Sequence, residues 1–304
     1  MSFVFSLTER HRGVHIARRR IIACRRYGRD VKSSTYSLTP AQIDSFYDRG
    51  YAHLPNFLTE VELEPIEAIY NRFMSREIDV PGKDFCDMSK GYDTAFEDFS
   101  IVNCMLPRVY HPPLQGNIYE KLSASVAKQL FPEINMVIDY DQLLNKRPGK
   151  TDAVFAWHQD MAYWPPPSIT PDTRTVTFSL ALDTTTPENG CLLFVPGSGV
   201  GKELRPHVPL KNNRDESHTI AIDVGDEEEQ VHLEAKRGDV TIHDEWVVHG
   251  SRGNQTQGDR RTYVVAFRTE ETVSRERALG FTHSHNAEFS WDKWIDPPSQ
   301  SPSI

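Results

Sequence analysis

Cysteine is scarce in this chain of 304 residues, and its scarcity excludes two kinds of scaffold. Only four cysteines occur, and no two of them form a C-x-x-C pair. Such spacing argues against a disulfide-stapled fold and against a structural zinc site built on cysteines. We therefore expect a protein of a reducing, intracellular compartment.

Several other features are missing as well. No run approaches the roughly 18 apolar residues of a membrane span, and the N-terminus lacks the apolar core of a secretory signal. The chain also has no G-x-G-x-x-G or P-loop motif for a nucleotide. With 38 % hydrophobic and 25 % charged residues, the composition predicts a soluble globular protein.

The net charge of −9 is unevenly distributed. Residues 1–32 hold nine basic and two acidic groups (+7), so the remaining 272 residues hold 25 basic and 41 acidic groups (−16). A body this acidic repels a phosphate backbone, which excludes general nucleic-acid binding. The basic segment, assigned to an N-terminal extension over 1–38, is read as a solvated extension or as a signal for organelle import. We expect a cytoplasmic location unless that signal operates.

Three helices are predicted in the first half of the chain. Thr39 is an N-cap followed by Pro40, and Gly50 marks the stop of this first helix. A capping box at 59–62 begins the second helix, and the third covers 117–130. Residues 75–115, rich in Gly, Pro and Asp, predict long loops that could form a lid.

From residue 135 the pattern changes to short strands rich in β-branched and aromatic residues, without intervening helices. This pattern predicts an antiparallel sandwich or barrel in one domain over 39–296, followed by a polar tail over 297–304. The predicted strands are 136–144, 175–182, 191–195, 231–235, 239–242, 246–248 and 262–267.

The strongest chemical signal is His158-Gln159-Asp160. Residues two apart on a strand share a face, so one imidazole and one carboxylate converge. His249, at the end of a later predicted strand, offers a second imidazole. Two histidines and one carboxylate are the facial triad of non-heme Fe(II) oxygenases. The alternative is a chance surface pair, since twelve histidines occur in this acidic chain.

Arg260, eleven residues after His249, begins an apolar strand. A guanidinium inside a barrel can bind a carboxylate through two parallel hydrogen bonds, and a 2-oxoacid would supply that carboxylate. Because side chains alternate along a strand, only one of Arg260 and Arg261 can face inward. The alternative is that Arg260 is the exposed one.

Over residues 39–270 the chain resembles the phytanoyl-CoA dioxygenase (PhyH) family of Fe(II)/2-oxoglutarate oxygenases. The resemblance implies a mainly β fold, a double-stranded β-helix (jelly roll) with a flanking layer of N-terminal helices. It depends on the order and spacing of motifs at 50–51 (GY), 55–58 (PNFL), 141–146 (DQLLNK), 157–165 (WHQDMAYWP), 188–192 (ENGCL), 196–198 (PGS), 238–239 (GD), 249–251 (HGS), 254 (N) and 260 (R).

The resemblance implies roles for individual residues. His158, Asp160 and His249 match the iron ligands of the family. Arg260 matches the arginine that pairs with the distal carboxylate of 2-oxoglutarate, and Ser251 matches a hydroxyl that supports it.

Other positions match less uniform parts of the family pattern. Gln142 and Asn145 match co-substrate contacts, and Tyr163 and Trp164 match residues that line the substrate pocket. Gly199 departs from the pattern, since many relatives have His after Pro-Gly-Ser, and we interpret it as a loop change without catalytic consequence.

The expected chemistry follows from the same resemblance. Fe(II) with 2-oxoglutarate and O2 would oxidise an unactivated C–H bond and release succinate and CO2, with ascorbate as an activator in vitro. Related halogenases lack the carboxylate ligand, so Asp160 favours hydroxylation, desaturation or oxidative cyclisation over halogenation.

The substrate is the least specified feature. Arg108 and Arg174 are candidates to bind a substrate carboxylate, which favours a small carboxylate-bearing or specialised metabolite. The family name instead implies an acyl-CoA 2-hydroxylase, which the acidic body disfavours. Two further possibilities are a non-catalytic jelly-roll binding module and a cupin-like metal enzyme without an oxoacid. We expect a monomer or homodimer, and we expect His207 and the pair His283 and His285 to be solvent-exposed.

Overall fold

The computed structural model describes residues 35–210 and 219–287 of the chain. Most of the predicted N-terminal extension and the whole of the predicted polar tail lie outside these ranges. The described helices are α1 (Pro40–Arg49), α2 (Glu60–Met74), α3 (Pro107–Tyr110), α4 (Ile118–Leu130) and α5 (Glu270–Ala278). The described strands are β1 (Tyr51–Leu54), β2 (Phe85–Asp87), β3 (Ile101–Met105), β4 (Met136–Lys146), β5 (Phe155–His158), β6 (Thr175–Ala181), β7 (Leu192–Phe194), β8 (Val208–Pro209), β9 (Ile220–Ala221), β10 (Val231–Leu233), β11 (Val240–His243), β12 (His249–Ser251) and β13 (Arg260–Thr269).

These strands form two main antiparallel sheets. The large sheet has the order β1-β11-β6-β13-β4-β3-β2, and the small sheet has the order β10-β7-β12-β5. Strands that are distant in sequence are neighbours in both sheets, as in a jelly roll. Lys146 of the large sheet donates a hydrogen bond to Ser251 of the small sheet, so their side chains meet in the interior between the sheets.

The helices cover one face of the large sheet. Alternate residues of β6, among them Phe178 and Leu180, pack in one core cluster with Leu63 and Tyr70 of α2 and Val126 of α4. Because side chains alternate along a strand, the residues between them point to the other face, toward the interior of the sandwich. That interior face is polar, and it borders the candidate site.

The predicted helix ends are confirmed. Thr39 accepts a hydrogen bond from the Gln42 backbone, and Gln42 caps Thr39 in return. Gly50 ends α1 with φ of 86°, a left-handed conformation that glycine adopts without strain. No helix among the described residues is long and apolar enough to cross a membrane.

Two local predictions are wrong, and one helix was missed. Residues 75–115 contain strands β2 and β3, which are buried on both faces and so show no alternation of polar and apolar residues. The strand predicted at 246–248 begins instead at His249, because the Asp244 carboxylate accepts hydrogen bonds from the Trp246 and Val247 backbones and forms a turn there. Helix α5, which Thr269 caps, was not predicted.

Candidate active site

His158 and His249 are brought together by strand pairing. The two residues are directly opposite each other where β5 pairs with β12, and their ring centroids are 4.3 Å apart. Asp160 begins the short 3-10 turn that follows β5, and its carboxylate turns back toward both imidazoles. Strand pairing and the turn after β5 therefore direct three potential metal ligands toward one point of the interior.

The donor atoms of this cluster are spaced for one ion. Asp160 Oδ1 lies 3.6 Å from His158 Nε2 and 3.5 Å from His249 Nε2. The Nδ1 atoms lie 2.7 Å from the Ala156 carbonyl and 3.0 Å from the Val247 carbonyl, respectively. A carbonyl only accepts, so each Nδ1 carries the proton and each Nε2 keeps its lone pair for a metal. The cluster fits the iron facial triad.

The electrostatics favour the ligand forms of these groups. Burial alone would raise the pKa of Asp160, but the neighbouring imidazoles of His249, His158 and His243 hold its pKa well below 3.8. Burial, together with His158 and His243, lowers the pKa of His249 well below 6.5. A carboxylate and neutral imidazoles are the protonation states that bind a metal.

Gln159, which lies between His158 and Asp160 in the chain, anchors the segment that carries these two candidate ligands. The Gln159 amide donates to the carbonyls of Glu203 (2.9 Å) and Trp246 (2.7 Å) and accepts from the Arg205 backbone (2.8 Å). The Gln159 backbone N–H donates to His207 Nε2 at 3.1 Å. His207 is thus half-buried against the site, and the prediction that it is surface-exposed is wrong.

Replacement of Gln159 by methionine is expected to lower the free energy of unfolding by about 3 kcal/mol, because the fully buried Gln159 amide bonds two carbonyls and one backbone N–H that would all lose this partner. Urea unfolding followed by circular dichroism measures this loss. Gln115→Met is the matched control, since the Gln115 amide makes one exposed hydrogen bond to the Arg108 carbonyl. Equal stabilities of the two variants would contradict the anchoring role.

Arg260 is buried in the interior without an anion. It is 3 % exposed, its Nε has no hydrogen-bond partner, and its guanidinium forms no ion pair with any described residue. It lines a small cavity with Thr241 and Thr262, whose hydroxyls also lack partners. Burial lowers the pKa of Arg260 from 12.5 to about 10. These orphaned polar atoms fit the carboxylate of a bound 2-oxoacid.

The neighbouring Arg261 faces the other way. Its guanidinium pairs with Asp183 and Glu67, each at 2.7 Å, on the helix-covered face of the sheet. The prediction that only one of the two arginines faces inward is therefore confirmed, and Arg260 is that one.

A buried lysine adjoins Arg260. Lys146 is opposite Arg260 where β4 pairs with β13, and its Nζ donates to Ser251 Oγ at 2.6 Å and to the Arg252 carbonyl. Burial and the Arg260 charge lower the pKa of Lys146 well below 10.5. The structure thus places Ser251 beside Lys146. Nothing in the sequence pattern singled out Lys146, although it ends the motif at 141–146.

The structure separates the two expected co-substrate contacts on β4. Gln142 lies on the interior face, opposite Val264, and donates to Asn103 Oδ1 at 2.6 Å. Asn145, three residues later, lies opposite Arg261 on the helix-covered face and donates to Asp259 at 2.9 Å. The structure therefore brings Gln142, but not Asn145, to the interior of the sandwich.

The two aromatic residues expected in the substrate pocket also diverge. The Tyr163 ring lies 5.6 Å from the His158 ring, beside the candidate ligands. Trp164 is buried with Met161 in a cluster against which Tyr163 also packs, and its ring lies 4.3 Å from the Arg268 guanidinium. Of the two residues, Tyr163 is therefore the one that the structure places beside the candidate ligands.

The two arginines expected to bind a substrate carboxylate already have carboxylate partners. Arg108 Nε lies 2.8 Å from Glu120 Oε1, and Arg174 Nε donates to Asp172 Oδ1 at 2.7 Å. Each guanidinium is therefore already neutralised by a carboxylate of the chain itself, which weakens the expectation that it binds a substrate carboxylate.

A second buried cluster has metal-like spacing. It contains Asp139, Glu276 and His283. Two guanidiniums neutralise its carboxylates, since Arg268 pairs with Asp139 and Glu276, and Arg277 pairs with Asp139. A divalent cation would be repelled there, so this cluster is an ion-pair network. His283 donates to Asp139 at 2.8 Å, and the prediction that it is solvent-exposed is wrong.

Gly199 has a packing reason. A Cβ at this position would lie 2.8 Å from both the Trp246 carbonyl carbon and the Val247 nitrogen. The loop after Pro-Gly-Ser therefore packs directly on the turn that leads into His249. Glycine is required by this close approach of two backbones.

A β-sandwich with an interior His-Asp-His cluster and an unpaired buried arginine defines the class of Fe(II)/2-oxoglutarate-dependent dioxygenases, which are oxidoreductases. The chain belongs to the phytanoyl-CoA dioxygenase (PhyH) family, whose model matches residues 46–262. It is 24 % identical to a probable phytanoyl-CoA dioxygenase of Caenorhabditis elegans, over 83 % of this chain and 82 % of that protein. It is 30 % identical to the peroxisomal phytanoyl-CoA dioxygenase of Homo sapiens, over 76 % and 68 %.

A solved structure supports the fold and the co-substrate. EvdO2 from Micromonospora carbonacea var. aurantiaca, crystallised with 2-oxoglutarate, aligns with a TM-score of 0.62 and 26 % identity, over 77 % of this chain and 92 % of that chain. The predicted family, the mainly β jelly-roll fold, and Fe(II) with 2-oxoglutarate as cofactor and co-substrate are therefore confirmed.

Proposed function

We propose that this enzyme oxidises a C–H bond of a small specialised metabolite, by hydroxylation or by desaturation or oxidative cyclisation, and releases succinate and CO2. His158, Asp160 and His249 would bind iron, and Arg260 would bind the distal carboxylate of 2-oxoglutarate. The observation that carries the proposal is the buried Arg260 without an anion, which faces the interior between the two sheets where the triad also lies.

Iron would supply the activation of O2 when it is bound, and the chain would supply orientation and shielding. The carbonyls of Ala156 and Val247 fix the tautomers of the two histidines. The buried guanidinium of Arg260, with the Lys146 amine beside it as a further hydrogen-bond donor, favours a dicarboxylate over a neutral acid. Ser251 would act through Lys146.

The substrate class needs a revision. The expectation of a carboxylate depended on Arg108 and Arg174, and both guanidiniums are paired. Gln142 of β4 and Asn103 of β3 add uncharged amides to the interior face, where the Gln142 amide donates to Asn103 Oδ1. Tyr163 adds an aromatic ring beside His158. We therefore favour an uncharged polar or aromatic metabolite over a carboxylate-bearing one.

Co-substrate use and surface charge distinguish the competing functions. An acyl-CoA 2-hydroxylase would need a basic surface for the CoA phosphates, and the chain outside residues 1–32 has a net charge of −16. A non-catalytic binding module would not consume 2-oxoglutarate. A cupin-like metal enzyme without an oxoacid would leave Arg260 unpaired at all times, at the energetic cost of a buried charge. We propose that the enzyme is a monomer or homodimer.

We expect the purified protein with Fe(II), 2-oxoglutarate, O2 and ascorbate to release succinate slowly. The rate of succinate release should rise when the substrate of the enzyme is present. The measurement is succinate release during a screen of pooled metabolites, with phytanoyl-CoA as a separate sample. Acceleration by phytanoyl-CoA would overturn the proposed substrate class. Failure of the metal-loaded protein to bind 2-oxoglutarate in calorimetry would overturn the proposed function.

A further inference from the structure

We propose that His243 is a positioning residue that holds Asp160 as a ligand through one oxygen only. The inference depends on the proposed role of Asp160 as a metal ligand. His243 lies outside the motifs of the family resemblance, and its spacing from His249 did not suggest a shared site.

The two oxygens of the Asp160 carboxylate have separate surroundings. Oδ1 faces the Nε2 atoms of His158 and His249, at 3.6 and 3.5 Å. Oδ2 faces away from them, toward His243 Nε2 at 3.2 Å and Thr177 Oγ1 at 3.3 Å. One oxygen is therefore directed to the metal position and the other is held by two hydrogen-bond donors.

The groups that hold Oδ2 lie on two paired strands of the large sheet. His243 and Thr177 are directly opposite each other where β11 pairs with β6, and both are buried. The His243 ring also packs 4.3 Å from the His249 ring and 5.8 Å from the Phe194 ring. Oδ2 is thus fixed from the floor of the large sheet, whereas the ligands His158 and His249 come from the small sheet.

The hydrogen bonding of His243 is directed at Asp160 alone. Its Nε2 contacts Asp160, and its Nδ1 is buried without a partner among the described residues. A carboxylate oxygen only accepts, so Nε2 carries the proton of this contact. A buried histidine kept for fold stability alone would be expected to satisfy both nitrogens.

This arrangement has a consequence for the open coordination positions. A carboxylate that binds through both oxygens occupies two positions, whereas one that binds through a single oxygen occupies one. With Asp160 and two histidines as ligands, an octahedral ion keeps three positions, which is the number that 2-oxoglutarate and O2 require together. By engaging Oδ2, His243 would keep the third position open.

The test uses the oxygen-stable ion Co(II) with the full-length protein. His243→Met removes the donor at similar volume, and His243→Gln keeps an amide N–H that can reach Oδ2. We expect the methionine variant to lose about 10- to 100-fold in Co(II) affinity by calorimetry, the range known for outer hydrogen-bond partners of metal ligands. The methionine variant should also have a changed Co(II) absorption spectrum and a changed spectral response to 2-oxoglutarate. The glutamine variant should recover most of the wild-type Co(II) affinity and most of the wild-type spectrum.

His53→Met is the matched control, because His53 forms a His–Asp contact of 2.9 Å with Asp239 away from the site. If His243→Met does not fold, His243→Asn replaces it, since its shorter side chain cannot reach Oδ2. Wild-type Co(II) affinity and an unchanged spectrum in a folded donor-lacking variant would overturn the inference while leaving the proposed function intact. Failure of the wild type itself to bind Co(II) would overturn the proposed function instead.

Discussion

Replacement of Asp160 by alanine is expected to abolish succinate formation and to lower the affinity for Co(II) by more than 100-fold. The carboxylate is the one negative charge in the His158–Asp160–His249 cluster, and removing it leaves two imidazoles to bind a dication. The loss should exceed the roughly 10- to 100-fold loss expected for an outer partner such as His243. Calorimetry with Co(II) and a succinate assay with Fe(II) measure the two effects.

Two further variants test whether the loss of metal affinity comes from the charge of the Asp160 carboxylate. Asp160→Asn keeps the shape of the side chain and removes its charge, so it should reproduce most of the loss of affinity. Asp239→Asn removes a carboxylate that also contacts a histidine, His53, and should leave metal binding unchanged. An active Asp160→Ala protein, or one that binds Co(II) as well as the wild type, would contradict the assignment of the triad.

Strand alternation explains which site features were predictable. It predicted that only one of Arg260 and Arg261 faces inward, and the structure confirms this. The same rule, applied to Gln142 and Asn145, would have shown that residues three apart on one strand cannot share a face. The resemblance to relatives named both positions, and the simpler physical argument excludes one of them from the interior.

Contacts between distant segments could not be read from the chain. His207 and His283 stand in polar stretches whose composition is typical of surfaces, yet the side chain of each contacts a segment more than 40 residues away. The Arg108–Glu120 ion pair likewise joins two segments with separate local signals. Arg174 is different, because its partner Asp172 lies two residues before it and the pair could have been suspected from spacing.

The same limit applies to the fold. Helices α1, α2 and α4 carry local caps, and their starts were predicted to within a residue. Strands β2 and β3 are buried on both sides, so their sequences lack the alternation that identifies a strand. Only the pairing of β3 with β4, and of β2 with β3, defines them as strands.

Replacement of Arg260 by methionine is expected to have opposite effects on stability and on co-substrate binding. In the metal-free protein the guanidinium is buried, without an anion, and beside Lys146. Burial lowers its pKa from 12.5 to about 10, a difference that corresponds to about 3 kcal/mol of penalty at neutral pH. Removing the charge should therefore raise the free energy of unfolding of the ligand-free protein by about 1–3 kcal/mol.

The pH dependence of that penalty has a defined sign. Below pH 10 the arginine is protonated in both the folded and the unfolded chain, so the penalty is constant. Between about pH 10 and 12.5 the unfolded chain binds more protons, so the contribution of this group to stability rises with pH. The stability gain of Arg260→Met should accordingly be constant near neutral pH, where urea unfolding is measured.

Binding of 2-oxoglutarate should weaken in Arg260→Met, because the distal carboxylate of 2-oxoglutarate would lose a buried, charged partner. Such a loss costs about 2–5 kcal/mol, or about 30- to 4,000-fold in affinity. Saturating 2-oxoglutarate with Co(II) should raise the melting temperature of the wild type well above that with Co(II) alone, and should do so much less in Arg260→Met.

Arg261→Met is the matched control, since Arg261 is paired with Asp183 and Glu67 on the other face. That variant should lose stability and keep its affinity. The role of Arg260 would be contradicted if Arg260→Met were less stable than the wild type and still bound 2-oxoglutarate with wild-type affinity. In that case the Arg260 charge would stabilise the ligand-free protein, and its partner would be a group other than the co-substrate.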